Sequence, residues 1–305
     1  MRKIFSLYLL LQYITCLAQD ISVSGGAIDV YKNFPSEFVE ARTVAVWLPE
    51  NYSADKKYAV LYMHDGQMLF DSTITWNKQE WRIDETISTL INLQMIKDVI
   101  VVAIWNNGEK RYREYFPQKP FFMIDANERN RLMKLARENN RLMPEEGPLS
   151  DAYLKFIVAE LNPFIDSSYS VHTDMKNTII AGSSMGGLIS LYALCEYPAV
   201  FGGAICMSTH WPGIFTANES IPNAFFNYLK SNLPDPSTHT LYFDLGTETL
   251  DSLYAPYQLQ ADAIMKEKKY TAENWLTKTF VGAEHTEIAW AERLVIPVMF
   301  LLGKD

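Results

Sequence analysis

Cysteine is scarce in this chain: three in 305 residues, Cys16, Cys195 and Cys206. Cys195 falls in an apolar helical pattern and Cys206 mid-strand in "FGGAICMS", so both read as buried, unpaired thiols. Their spacing suggests neither a metal site nor a redox pair, and no metal or other cofactor is expected. Lysine and arginine form no run, and the formal net charge is −9. A nucleic-acid backbone or an anionic membrane surface therefore has no basic patch to act through. No stretch reaches eighteen apolar residues after the N-terminus, which argues against stable membrane insertion. Repeats, low-complexity tracts and linkers are missing as well. Residues 19–305 thus read as one domain, and a hydrophobic fraction of 48% is ample for a sizeable core. Composition leaves the oligomeric state open.

What is present begins with "MRKIFSLYLLLQYITCLAQD". A basic start at Arg2 and Lys3, an apolar stretch from Ile4 to Leu17 and the small residue Ala18 have the layout of a secretory signal over residues 1–18. A lipid anchor on Cys16 is the alternative, weakened by the poor preceding tripeptide Tyr13-Ile14-Thr15. The mature chain is expected to be secreted or periplasmic.

Beyond residue 20, strand-like and helix-like segments alternate. "ISVSGGAIDVYKNF" and "RTVAVWLPENY" alternate apolar and polar residues, as half-exposed antiparallel strands do. "YAVLYMHDG", "DVIVVAIWNNG" and "NTIIAGSS" are continuous apolar runs suited to a parallel sheet covered on both faces. Between the first two of these runs, "EWRIDETISTLINLQMI" has helical spacing; later "LSDAYLKFIVAELNPFI" does too, with Ser150 as its expected cap. After "NTIIAGSS" the order is a helix to about Pro198, strands "GGAICMS" and "HTLYFDLG", helix "LDSLYAPYQLQADAIMKE", strand "NWLTKTFVG" and a closing helix "IAWAERLVIPVMFLL". This order predicts an α/β fold: a mostly parallel sheet with antiparallel N-terminal strands and helices on both faces. Residues 106–149 are irregular, charged and aromatic, and are expected to form a cap or wall over the strand ends.

Gly182-Ser183-Ser184-Met185-Gly186 matches G-x-S-x-G between a buried strand and a helix, the context in which that motif presents a nucleophilic serine. The glycines let strand and helix approach, and the helix amides face the charge that develops. A serine hydroxyl needs a base. Of five histidines, His285 follows the last strand, where the base belongs. His172 and His239 precede strands and are expected at the opposite, solvated edge, while His210 reads equally as a substrate-side or a structural residue. The acid should follow "HTLYFDLG". Asp244 lies within the strand and is expected to support the loop; Glu248 and Asp251 both could reach His285 and are not separable from the residues alone. Oxyanion donors are expected from the amides of Met185 and Gln67, the latter after a turn at Gly66; the plainer alternative for His64-Asp65-Gly66 is a strand-ending turn in which His64 caps nearby backbone. Trp76, Trp105, Tyr112 and Trp211 are aromatic residues expected near the site.

"YAVLYMHDGQ", "AGSSMGGLISLYA", "GTETLDSLYAPYQ" and "GAEHTEIAW" together resemble the esterase branch of the α/β hydrolases, which includes feruloyl esterases, S-formylglutathione hydrolase, siderophore esterases and mycolyltransferases. The likeness covers about residue 40 to the end. It implies Ser184 as nucleophile, His285 as base and the amides of Gln67 and Met185 as oxyanion donors. In feruloyl esterases the acid opens an Asp-Ser-Leu segment with a Gln seven residues beyond the Asp. Asp251-Ser252-Leu253 and Gln258 repeat that pattern, so the resemblance favours Asp251, with Glu248 as the alternative acid.

The expectation is an exported serine esterase acting through an acyl-enzyme on a small-molecule or carbohydrate ester, feruloyl or acetyl, with His210, Trp211, Trp76 and Trp105 as substrate-side residues. The alternatives are a ferric-siderophore esterase, which the missing basic cluster disfavours, an acyltransferase, and a catalytically inactive carbohydrate-binding homologue.

Overall fold

A computed structural model describes residues 21–138 and 147–304; the expected signal, Cys16 included, and part of the 106–149 excursion lie outside them. Eight strands form one sheet: β1 (Ala27–Phe34), β2 (Arg42–Leu48), β3 (Ala59–His64), β4 (Val99–Ile104), β5 (Thr178–Ser183), β6 (Gly203–Met207), β7 (Thr240–Gly246) and β8 (Trp275–Phe280). Their order across the sheet is β1-β2-β4-β3-β5-β6-β7-β8. β1 pairs antiparallel with β2, and β2 antiparallel with β4; every later pairing is parallel. The chain is an α/β-hydrolase fold in which β3 to β6 carry the sheet's buried centre.

The sequence dictates this centre. β3, β4, β5 and β6 are buried at every position, because helices cover both faces and successive side chains point to opposite sides. Val60 and Tyr62 enter one hydrophobic layer with Tyr192 and Leu229, whereas Leu61 and Met63 enter the other with Ile87 and Trp290.

The helices are α1 (Ile83–Asn92), α2 (Arg111–Tyr115), α3 (Gln118–Met123), α4 (Ala126–Glu138), α5 (Ser150–Phe156), α6 (Asn162–Ser168), α7 (Met185–Glu196), α8 (Ser220–Asn232), α9 (Ala255–Glu267), α10 (Glu287–Arg293) and α11 (Val295–Leu302). α2 to α4 occupy the described part of the excursion. A π-turn, Ile157–Leu161, joins α5 to α6.

The structure departs from several expectations. Ser150 does not cap: it is the first residue of α5, and its Oγ accepts from the Gln118 amide at 2.9 Å. α8 fills the β6–β7 crossover, where the sequence pattern shows no helix; Pro222 and the polar residues around it interrupt the periodicity. The closing helix is two, divided at Leu294, with Pro297 in the first turn of α11. His239 is not solvated but buried, its Nε2 2.8 Å from the Pro198 carbonyl. His172 is exposed, as expected.

Candidate active site

Every candidate site group sits at or beyond the carboxyl end of a parallel strand, where open α/β sheets place their ligands. β5 runs straight into α7 through Ser184, whose backbone is held at φ 58°, ψ −121°. A non-glycine residue in this region stores about 1–3 kcal/mol of strain, and here the surroundings impose it. The Ser184 amide donates to the Met207 carbonyl at 2.9 Å, and its carbonyl accepts from the His210 amide at 3.2 Å. Gly182 permits the turn: a Cβ there would lie 2.7 Å from the Gly186 carbonyl carbon. α7, buried along almost its whole length, presents Met185 as its first residue.

His285 follows β8 and faces the same cleft as Ser184. Its Nδ1 lies 2.5 Å from Asp251 Oδ1, and its own amide donates to Thr249 Oγ1 at 2.8 Å. The ring is held edge-on between Tyr254 and Trp290, with centroids at 5.8 and 4.9 Å. Asp251 is almost fully buried. Burial alone would raise its pKa, yet bonds from His285, the Ser208 hydroxyl and the Gly246 amide hold the carboxyl below its usual range. Glu248, the alternative acid, is exposed and bonds through its amide to the Ala283 carbonyl; the structure sets Asp251, not Glu248, against His285. Asp244 is expected to support the loop after β7, but its carboxylate instead takes the Ser208 amide beyond β6 at 3.0 Å and Arg293 of α10 at 2.9 and 3.1 Å.

On the facing wall, Gly66–Met68 forms one 3-10 turn after β3 and carries Gln67 into the cleft. A Cβ on Gly66 would approach the Ala103 carbonyl carbon to 2.7 Å, so only glycine lets this turn lie against β4. Asp65 pins the turn. Arg111 grips its carboxylate at 2.6 and 2.7 Å, and Asn106 Nδ2 adds a third bond at 2.7 Å. Burial pushes the Asp65 pKa up, but the Arg111 charge together with the Arg111 and Asn106 hydrogen bonds keeps the carboxyl below its usual range. His64 does not cap backbone. Its Nδ1 pairs with the Tyr153 hydroxyl at 2.8 Å, and burial lowers its pKa to about 3, which holds the ring neutral.

The cleft has a volume of about 730 Å³. Tyr112, Ile214 and Phe215 line it with Asn77, Gln79 and Glu287, and Trp76, 83% exposed, stands at the rim. Arg111 is the only lysine or arginine among the described residues lining it, and Asp65 already occupies that charge. His210 is buried and bonded through Nδ1 to the Tyr254 hydroxyl at 2.7 Å, as the structural reading expects, and it also lines the cleft. Trp211 and Trp105 depart from expectation. Trp211 is a core residue whose Nε1 donates to Gln258 Oε1 at 3.0 Å. Trp105 packs behind Gly66 and does not line the cleft. Asp65, Arg111, Asn106, Ser208, Tyr254 and Arg293 went unrecognised in the sequence; "HDG" and "STHW" were the nearest signals, and Arg111 had none. Among the described residues no group of three or more acidic, histidine or cysteine side chains could hold a metal ion, and no helix is long and apolar enough to cross a membrane.

Comparison with known proteins shows the family and the fold. The model of the Esterase family ("Putative esterase") matches residues 36–295. The uncharacterized protein YbbA of Bacillus subtilis is 22% identical over 271 residues, covering 87% of this chain and 94% of its own. Among solved structures, a ferulic acid esterase superposes with a TM-score of 0.63 at 18% identity, covering 90% of this chain and 97% of its own. The BES protein of Bacillus cereus gives 0.64 at 15%, covering 94% and 98%. The enterobactin esterase FES of Shigella flexneri, solved with enterobactin, gives 0.63 at 16%, covering 91% of this chain but only 60% of its own. At these identities the structures establish a shared fold.

Proposed function

This chain belongs to the Esterase family, and from that premise we propose that it is an exported serine esterase acting on feruloyl or acetyl groups carried by carbohydrate. Ser184 Oγ attacks the ester carbonyl as His285 Nε2 takes its proton, and the amides of Gln67 and Met185 receive the oxyanion. The intermediate collapses, the alcohol leaves with the proton from His285, and water repeats the sequence on the acyl-serine. Asp251 keeps the His285 proton on Nδ1 and offsets the imidazolium charge. One observation carries the reading: the strained Ser184 turn and the Asp251-anchored His285 open on one cleft.

Support for a carbohydrate ester comes from the cleft's chemistry. Exposed Trp76 offers a flat face, Asn77 and Gln79 offer amides, and Glu287 adds a carboxylate. Among the described residues lining the cleft, the one cation that could meet a highly anionic ferric catecholate is Arg111, and Asp65 engages it. The test is an ester panel (feruloyl, acetyl, enterobactin-type and simple acyl) with the mature chain and with Ser184→Ala. Feruloylated or acetylated saccharides should be preferred, with near-background rates for Ser184→Ala. Retained activity in that variant would overturn the mechanism, and preference for the enterobactin-type ester would overturn the substrate.

A further inference from the structure

Asp251 presents one oxygen to His285 and keeps the other for a buried cluster behind it. Oδ2 accepts from the Ser208 hydroxyl at 2.5 Å and from the Gly246 amide at 2.5 Å. Ser208 Oγ is itself approached by two groups, Trp290 Nε1 at 3.0 Å and Arg293 Nη2 at 2.8 Å. An indole N–H and a guanidinium N–H can only donate, and a hydroxyl has one proton and two lone pairs. Both lone pairs of Ser208 are therefore taken, and its single proton has one destination, Asp251 Oδ2. Rotation of the hydroxyl is ruled out by its neighbours.

The cluster is anchored in its turn. Arg293 is held by both Asp244 oxygens, stacks 4.9 Å over the Phe280 ring and comes within 3.9 Å of Asp251 Oδ2. The Ser208 amide donates to Asp244 Oδ1 at 3.0 Å. Ser208 is fully buried at φ 43°, a backbone region where a residue with a side chain is costly. Glycine would relieve that strain and would remove the hydroxyl.

We infer that Ser208, polarised by Trp290 and Arg293, is a positioning residue that fixes the rotation and ionisation of Asp251 and so aims Oδ1 at His285. The inference rests on the serine-esterase reading for its kinetic consequence, but its structural content can be tested without a substrate. Two variants serve: Ser208→Ala removes the proton donor, and Trp290→Phe removes one lock while keeping a ring against His285. Each is assayed for kcat and KM on the preferred ester and for the low-field proton resonance of the His285–Asp251 hydrogen bond. In Ser208→Ala, kcat should fall roughly tenfold to hundredfold with KM within about twofold, and the resonance should move upfield or broaden. Trp290→Phe should change both in the same direction by less. An unmoved resonance in Ser208→Ala overturns the inference, whether or not kcat falls, and so does a kcat within about twofold of wild type. If Ser208→Ala fails to fold, the same criteria on Trp290→Phe decide. A wild-type protein that hydrolyses no ester would sink the esterase reading alone, and the resonance would then decide the positioning role.

Discussion

The floor of the cleft and its rim are built on different principles. On the floor, Ser184, His285 and Asp251 hang from the ends of β5, β7 and β8, and all but the open faces of Ser184 and His285 are locked by short bonds to buried partners. At the rim, Trp76 is 83% exposed and Phe215 40% exposed, on segments outside the regular elements. A floor of this kind tolerates little displacement, because the partners behind Ser184 and His285 are buried and losing one leaves another unsatisfied. The rim can change without disturbing the sheet, so it is where selectivity between esters can be tuned while the chemistry stays fixed.

That contrast can be broken at three points. The largest effect belongs to the floor: Asp251→Asn should lower kcat by about a thousandfold to ten-thousandfold through the wrong His285 tautomer, whereas Glu248→Gln should stay within about twofold. Steady-state kinetics on one ester, run side by side, checks both, and comparable losses would reopen the choice of acid. An intermediate effect is expected at the oxyanion wall. Arg111→Met leaves Asp65 half-partnered, loosens the Gln67 turn and should reduce kcat about tenfold to hundredfold with KM little changed; a pure KM effect would make Arg111 a substrate contact instead. The smallest lies at the rim. Trp76→Ala should raise KM for a feruloylated oligosaccharide about threefold to tenfold while leaving p-nitrophenyl acetate within about twofold. Equal losses on both esters would contradict a floor that is independent of the rim.

Legibility in the sequence follows the same division. Continuous runs such as Val99–Ile104 announce buried parallel strands, because burial on both faces removes the need for polar alternation. G-x-S-x-G between strand and helix announces Ser184, since the turn demands glycines at fixed offsets. Contacts between distant residues were not legible. Asp65 and Arg111 are 46 positions apart and meet only because β3 and β4 are neighbours in the sheet. The acid was undecided on residues alone, since Glu248 and Asp251 share one loop and only its folded turn selects which carboxylate reaches His285. Trp211 misled for a local reason: His210 and Trp211 lie in a tight turn, where the Trp211 amide donates to the Thr209 carbonyl and the Gly213 amide to the His210 carbonyl, and the two neighbouring side chains part there. His210 took the cleft, and Trp211 went to the core.

The central claim is that Ser184 is a nucleophile activated by a histidine that Asp251 holds. Labelling the purified protein with a fluorophosphonate, followed by peptide mass analysis, tests it most directly. One adduct per chain is expected, on Ser184, formed far more slowly in Asp251→Asn and absent in Ser184→Ala. An unlabelled wild-type protein, or an adduct on any other residue, would contradict it.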